Sequence, residues 1–182
     1  MTELLHGCAI ADELPDSTTT FHFAEGPGGF IEALTYQRGD APGDRYYGMT
    51  LIRDSDPAVP GWKKSRAFLA RHPNVTVLRG ADGTGDLFSQ ANLQDIRARF
   101  AGTADLVTGD GGFDFSMDFD HQESASMRLI IAQLCFALAV QKKGGTLVLK
   151  VFDTFTQASI DFLYLLCSWY ADVQAVKPST SR

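Results

Sequence analysis

An acid and an amine follow two apolar runs in the second half of the sequence. Asp110 comes directly after ADLVTG, and Lys150 stands near the end of GGTLVLKVF. A lysine within an apolar strand is costly unless its amine reaches water or an acid. If the two runs are neighbouring strands, this amine and carboxylate can meet and move a proton of a bound substrate. A purely structural ion pair, or a lysine that reaches solvent from the sheet edge, is the alternative.

A glycine-rich turn, EGPGGF at 25–30, follows the first apolar run of the chain. Glycines permit a sharp turn and let a ligand approach the backbone closely. The turn lacks the G-x-G-x-x-G spacing that holds the pyrophosphate of a dinucleotide. An acid before such a turn, Glu25, suits a ligand with positive charge, such as the amino and sulfonium groups of S-adenosylmethionine. A plain tight turn between a strand and a helix is the alternative.

Two further strand ends carry residues that suit a nucleoside. Thr50 lies near the end of the second apolar run, RYYGMTLI, where many nucleotide-binding proteins place a residue that holds ribose hydroxyls. Asp82 lies in GADGTGD after the third run, where its carboxylate can accept a hydrogen bond from an adenine amine, and Gly83 leaves room for the ring. Alternatively, Asp82 only starts a turn. Asp86 is expected to cap the helix that follows.

The elements that must position these residues alternate between strand and helix. The predicted strands are 21–25, 45–52, 74–80, 104–110 and 144–153, the predicted helices are 30–38, 62–72, 87–100, 124–143 and 156–171, and a last strand begins within 172–182. The strands are continuous apolar runs, which is typical of a parallel sheet covered on both faces. We therefore predict a doubly wound α/β fold, which binds its ligands at the carboxyl ends of the strands.

Size and charge narrow the possible functions. The 182 residues suit a single domain over 1–182, with residues 1–20 as an N-terminal extension. The formal net charge of −6 argues against a broad RNA-binding face, although a small basic cleft remains compatible with it. The sequence opens with polar residues instead of a signal peptide, so we expect a cytoplasmic protein that binds no membrane.

The cysteines, the histidines and the longest apolar run suggest structural roles. Three widely spaced cysteines and four histidines without ligand spacing predict neither a disulfide framework nor a metal site. Cys135 and Cys167 lie in apolar stretches and are predicted to be small core residues. The apolar run 129–140, interrupted by Gln133, is predicted to be a buried helix because it is too short to span a bilayer.

Five segments in order resemble the motifs of one protein family: EGPGGF, GADGTGD, DLVTGDGGFD, GGTLVLKVFD and KPSTSR. They are similar to the FtsJ-like RNA ribose 2′-O-methyltransferases, especially the branch that acts on mRNA caps. The resemblance runs from about Phe21 to Arg182. It implies a Rossmann-like, doubly wound and mostly parallel sheet, S-adenosyl-L-methionine as cofactor, and capped mRNA or rRNA as substrate.

The resemblance also implies roles for individual residues. The family methylates a ribose 2′-hydroxyl with a Lys–Asp–Lys–Glu tetrad, of which Asp110 matches the aspartate and Lys150 the second lysine. The implied cofactor-binding residues are Glu25, Gly26, Pro27, Gly28, Gly29, Phe30, Thr50, Asp82, Gly83 and Asp110. The implied substrate-binding residues are Phe113, Lys177 and Ser179.

Two members of the tetrad have no counterpart in this sequence. The first lysine of any kind is Lys63, downstream of the glycine-rich turn, and no glutamate follows Glu123. The last antiparallel strand of the family fold is also expected to be missing. We interpret the core, 21–182, as incomplete at both ends. A degenerate member that binds cofactor or RNA without turnover is the alternative, and a nicotinamide-dependent oxidoreductase is a weaker one because it needs G-x-G-x-x-G.

Two surface features have structural and functional interpretations. The basic cluster Lys63, Lys64, Arg66 and Arg71 is predicted to be a solvated helix face, with RNA contact as the alternative. Trp62 beside it is predicted to anchor the helix. The acidic and aromatic loop 113–121 either stacks on a substrate base or packs on the core as a lid.

Overall fold

Five parallel strands and seven helices form the described part of the protein. The computed structural model describes residues 1–39, 41–53, 55–56, 59–112 and 122–179. The strands are β1 Thr19–Phe23, β2 Arg45–Met49, β3 Val75–Leu78, β4 Ala104–Gly109 and β5 Gln141–Leu149. The helices are α1 Thr2–Gly7, α2 Ile10–Glu13, α3 Gly29–Arg38, α4 Arg66–Arg71, α5 Gln90–Phe100, α6 Gln122–Val140 and α7 Gln157–Trp169, with a 3-10 turn at Lys63–Ser65.

The sheet has the order β3-β2-β1-β4-β5, and every pair of neighbouring strands is parallel. The chain builds outward from β1 to β3 and then crosses back to add β4 and β5 on the other side. The order therefore reverses between β1 and β4, and such a switch point opens a crevice at the carboxyl ends of the strands. The predicted doubly wound, mostly parallel α/β fold is confirmed.

Both faces of the sheet are covered, which explains the apolar runs. Phe21 and Phe23 of β1 pack with Met49, Val107 and α6 on one face. Tyr46 and Leu106 pack with α1, α3 and Trp62 on the other. Because successive side chains of a strand point to opposite faces, a strand covered on both sides needs no polar alternation.

The N-terminal residues form two short helices that the sequence did not predict. Leu5 of α1 and Ile10 of α2 are buried against Ile31 and Leu34 of α3. Helices of six and four residues are too short to show a periodic apolar pattern. Residues 1–20 thus contribute to the core as well as preceding it.

The predicted last strand does not form within the described residues 172–179, which have no regular structure. The segment instead ends on the first helix, where the Ser179 N–H lies 2.8 Å from Oε1 of Glu3. The Ser179 hydroxyl lies 3.1 Å from Oε2 of the same carboxylate. A strand needs a partner that satisfies its backbone groups, and here a side chain takes that place for one residue.

α6 is longer than its apolar run and only partly covered. By length and composition alone this helix could cross a membrane, a criterion that the core helix of a globular protein also meets. It packs against α5 and against β1, β4 and β5. The prediction that Cys135 and Cys167 are core residues is wrong, because both side chains are exposed on the outer faces of α6 and α7. Apolar neighbours in sequence do not fix which side of a helix a residue occupies.

Candidate active site

The predicted acid–amine pair forms at the carboxyl edge of the sheet. Asp110 directly follows β4 and Lys150 directly follows β5, and Lys150 Nζ lies 3.2 Å from Asp110 Oδ1. The backbone continues the ladder past both strand ends, because Lys150 N donates to the Gly109 carbonyl at 2.8 Å and Asp110 N donates to the Phe23 carbonyl at 3.3 Å. Neighbouring parallel strands thus bring together two residues that are 40 positions apart in sequence.

Both members of the pair remain accessible to a substrate. The Lys150 side chain is 44% exposed and the Asp110 side chain 32%. Partial burial raises the pKa of Asp110, the Lys150 charge opposes this effect, and the Glu25 charge adds to it. The amine also lies 5.5 Å from the centre of the Phe152 ring. The pair therefore offers an amine and a carboxylate on an open edge, where a substrate hydroxyl can reach the nitrogen.

Gln133 of α6 holds the loop that carries Asp110. Its Oε1 accepts the N–H of Gly111 at 2.8 Å, and its Nε2 donates to the Leu129 carbonyl at 3.0 Å. The residue is only 1% exposed. A β-carbon at Gly111 would lie 2.7 Å from Nε2, so a larger residue at this position would displace the Gln133 amide. The sequence signal for this role is the single polar residue inside the apolar run 129–140, which by itself does not indicate a link to the site.

We expect Gln133→Leu to lower kcat for methyl transfer, the activity that the family resemblance implies, by about 10- to 100-fold, because the released loop lets Asp110 move away from Lys150. Initial rates at saturating cofactor and substrate measure the change. Gln94→Leu, at an exposed position of α5, is the matched control and should leave kcat unchanged. Gln133→Glu keeps an acceptor for Gly111 and should retain more activity than the leucine variant. Wild-type kcat in Gln133→Leu would contradict the positioning role.

The glycine-rich turn requires glycine at two positions. Gly28 has φ +103°, and a β-carbon there would lie 2.7 Å from the Trp62 ring. A β-carbon at Gly26 would lie 2.7 Å from the Gly61 carbonyl oxygen. At Gly29, by contrast, a β-carbon would meet nothing within 4 Å. One side of the turn is therefore packed against Gly61 and Trp62, whereas Pro27 and Gly29 are exposed on the other side.

The Glu25 carboxylate points into the protein. Its Oε1 accepts the N–H groups of Phe30 and of Ile31, the latter at 2.9 Å, and so caps the start of α3. Its Oε2 lies 3.0 Å from His22 Nδ1 and 3.4 Å from Thr108 Oγ1. The Glu25 side chain is almost fully buried, which leaves little of its surface for direct contact with a ligand. Glu25 and the Phe30 N–H shape the turn from beneath.

Thr50 is also enclosed. It is buried where the loops after β1 and β3 meet. A β-carbon at Gly26 would lie 2.9 Å from Thr50 Cγ2, and a β-carbon at Gly85 would lie 2.1 Å from the Thr50 carbonyl oxygen. The residue therefore packs the two loops against the end of β2.

Asp82 lies exposed on the loop after β3. Its Oδ1 accepts the N–H and the hydroxyl of Thr84 at 2.9 and 2.6 Å. Asp82 therefore starts the turn, as the structural alternative predicts. Gly83 beside it has φ +78° with open space where a β-carbon would lie. The prediction that Asp86 caps α5 is wrong. Ser89 is the N-cap, and Asp86 Oδ1 accepts the Phe88 N–H at 2.8 Å in the preceding turn.

Glu123 fastens the loop that follows Lys150. Its buried carboxylate accepts the Thr156 N–H at 2.8 Å, the Phe155 N–H at 3.2 Å and the Thr156 hydroxyl at 2.6 Å, and it also accepts the Ser159 hydroxyl. Burial acts to raise the pKa of Glu123, but the Ser159 and Thr156 hydroxyls and the two N–H groups outweigh it and hold this pKa at about 2. The carboxylate is therefore ionised in the folded protein under all but strongly acidic conditions.

We expect Glu123 to make stability depend on acid pH. The folded pKa lies below the ordinary value of 4.5, so its contribution is present above pH 4.5 and is lost as the pH falls toward 2. Urea unfolding of the protein and of Glu123→Gln, repeated between pH 2 and 7, measures this contribution. The difference in unfolding free energy should be largest at pH 7 and shrink below pH 4.5. A difference that is constant with pH would contradict the assignment.

Two other predicted residues lie on the C-terminal segment, and a third lies outside the described residues. Ser179 binds Glu3, and Lys177 is exposed on the same C-terminal segment. Phe113 and the loop 113–121 lie outside the described residues.

Trp62 anchors its segment as predicted, buried against Gly28 and Gly48. The four cations of the basic cluster are exposed. Within the ranges that the structure describes, no group of three His, Cys, Asp or Glu side chains is placed to hold a metal ion.

Comparison with known proteins identifies the family. The sequence profile of the FtsJ-like methyltransferases matches residues 5–182. The chain belongs to this family. Over 173 residues it is 40% identical to the cap-specific mRNA (nucleoside-2′-O-)-methyltransferase 1 of Leishmania braziliensis, covering 89% of this chain and 41% of that protein. It is 37% identical to the Trypanosoma cruzi protein of the same name over 166 residues, covering 86% of this chain and 42% of that protein.

A more distant relative shows the same pattern of coverage. The cap-specific mRNA (nucleoside-2′-O-)-methyltransferase 1 of Caenorhabditis elegans is 31% identical over 182 residues, covering 94% of this chain and 19% of that protein. The chain therefore spans about two fifths or less of these curated relatives. The resemblance to FtsJ-like methyltransferases found from the motifs is confirmed, and the Asp110–Lys150 pair lies where those motifs placed it.

Proposed function

We propose that the protein transfers a methyl group from S-adenosyl-L-methionine to a ribose 2′-hydroxyl of RNA at or near the mRNA cap. The observation that supports this proposal is the Asp110–Lys150 pair, with Nζ and Oδ1 3.2 Å apart at the switch-point edge of an FtsJ-like sheet. Relatives named for cap-specific 2′-O-methylation match along most of the chain.

The described residues fit the cofactor. Open space at Gly29 and Gly83 leaves bare backbone for a flat or branched ligand at two neighbouring loops. Asp82 offers an acceptor for an adenine amine, and Asp110 places negative charge near the glycine-rich turn, as a positively charged ligand requires. When bound, S-adenosylmethionine supplies an electrophilic methyl group on its sulfonium.

Lys150 and Asp110 then act on the acceptor. The Lys150 amine, in its uncharged form, accepts a hydrogen bond from the ribose 2′-hydroxyl and takes its proton as the new O–C bond forms, while the electron pair of the breaking S–C bond returns to sulfur. Asp110 orients the amine and stabilises its positive charge through the 3.2 Å contact. Much of the rate gain comes from alignment, because holding two reactants in attack geometry removes most of the entropic barrier.

Methyl transfer to three RNAs tests the proposal. The protein is incubated with methyl-labelled S-adenosylmethionine and capped RNA, the same RNA already 2′-O-methylated at its first nucleotide, or uncapped RNA. We expect label in the first RNA and little in the other two. Binding of S-adenosylhomocysteine without transfer to any RNA would support the degenerate alternative, and no binding at all would overturn the cofactor assignment.

A further inference from the structure

The loop between β3 and α5, residues 80–86, is fastened by one buried side chain. Asn92, on the first turns of α5, is 0% exposed. Its Oδ1 accepts the Asp82 N–H at 3.1 Å, while its Nδ2 donates to Asp82 Oδ1 at 2.9 Å and to the Asp86 carbonyl at 3.0 Å. One amide thus holds the backbone and side chain of Asp82 and the far end of the loop.

The backbone of this loop is closely fitted to its surroundings. Gly80 has φ +72°, and a β-carbon there would lie 2.3 Å from Asn92 Oδ1. Gly85 has φ +67°, and its β-carbon would lie 2.1 Å from the Thr50 carbonyl oxygen. The loop is therefore pressed between α5 and the end of β2, and its shape is set before a ligand arrives.

The Asp82 carboxylate is held as an ionised acceptor. Asn92 Nδ2 and both donors of Thr84 converge on the same oxygen, Oδ1. Hydrogen bonds from Thr84 and Ser89, and then from Asn92, keep the pKa of Asp82 below its usual range. An ionised carboxylate only accepts hydrogen bonds. It therefore favours a purine with a 6-amino group and repels one with a 6-oxo group.

We propose that Asn92 is a positioning residue that gives the cofactor site its selectivity for adenine. The inference rests on the proposed function, in which Asp82 contacts the base of the cofactor. Without the Asn92 amide, Asp82 keeps its charge and its hydrogen bonds to Thr84. The loop that carries both residues is then no longer fixed to α5, and the site loses preference for the amine more than it loses affinity.

The test compares two ligands that differ at one position of the base. S-Adenosylhomocysteine carries a 6-amino group and S-inosylhomocysteine a 6-oxo group, and calorimetry gives Kd for each. We expect wild type to prefer the adenosyl ligand by about 10- to 100-fold, because the Asp82 carboxylate accepts a hydrogen bond from a 6-amino group and repels a 6-oxo group. Asn92→Ser and Asn92→Leu should bring this ratio within about threefold of unity. Asp82→Asn, whose amide can donate, should favour the 6-oxo ligand.

Controls separate this role from a general structural one. Gln94→Ser, exposed on the same helix, should keep the wild-type ratio. If Asn92→Leu fails to fold, Asn92→Ser carries the test, with thermal unfolding to confirm its fold. The inference would be overturned if the Asn92 variants lost equal affinity for both ligands, or if wild type showed no preference. In either case, binding of S-adenosylhomocysteine would still support the proposed cofactor. Wild type that binds neither ligand would overturn both.

Discussion

Lys150→Ala is expected to lower kcat for methyl transfer by about 10²- to 10⁴-fold, the usual contribution of a group that handles a proton in the transition state. Its amine lies 3.2 Å from Asp110 and reaches open solvent at the sheet edge. The Kd of S-adenosylhomocysteine should change little, because the glycine-rich turn and the loop of Asp82 keep their own internal contacts. Initial rates at saturating capped RNA, together with calorimetry, measure the two quantities separately.

Two further lysine variants sharpen this result. Lys143→Ala removes an exposed lysine from the opposite end of β5 and should leave both quantities unchanged. Lys150→Arg keeps the positive charge on a group that does not release its proton, so low activity in this variant would assign Lys150 a role in proton transfer. Unchanged transfer in Lys150→Ala would remove the residue from the proposed mechanism.

Glu25→Gln is expected to weaken both cofactor binding and stability. The carboxylate accepts the N–H groups of Phe30 and Ile31 and is linked to His22 and Thr108, all within a buried site. A glutamine offers one acceptor oxygen where the carboxylate offers two. It also removes the negative charge that stabilises the N-terminus of α3. We expect about 2 to 4 kcal/mol of lost unfolding free energy, the range for breaking a buried charged network. Urea unfolding measures it.

Glu25→Gln should also lower the affinity for S-adenosylhomocysteine by about 10-fold or more, because the buried carboxylate no longer fixes the backbone of the glycine-rich turn. Glu32→Gln, at an exposed position in the first turn of the same helix, is the matched control and should behave as wild type. A Glu25→Gln protein with wild-type stability and affinity would show that the buried network does not shape the turn.

A common design underlies these predictions. Four of the five loops at the carboxyl edge have a buried polar side chain behind them. These side chains are Glu25 for the loop after β1, Asn92 for the loop after β3, Gln133 for the loop after β4 and Glu123 for the loop after β5. Loops carry backbone groups that helices and strands would otherwise pair, and a buried side chain that pairs them fixes their shape. The residues that face the ligand can then be few and exposed.

Much of the site was predictable because the apolar runs and the family motifs indicate the same strand ends. Apolar runs located all five strands to within a few residues, and parallel pairing places every strand end at one edge. The meeting of Asp110 and Lys150 follows from that alone. The predicted last strand does not form within the described residues 172–179, since the composition of a segment shows only that it can pair in a sheet and not that a partner strand lies beside it.

The sequence by itself determined the alternation of strands and helices, the family, and the acid and amine that meet at the sheet edge, because these depend on local period and on motif order. Only the tertiary structure decided that Glu25 faces inward, that Cys135 is exposed, and that Asn92 and Gln133 support the site. The physical reason is that residue type indicates whether a group needs a hydrogen-bond partner, whereas the direction of a side chain and the identity of that partner depend on segments far apart in the chain.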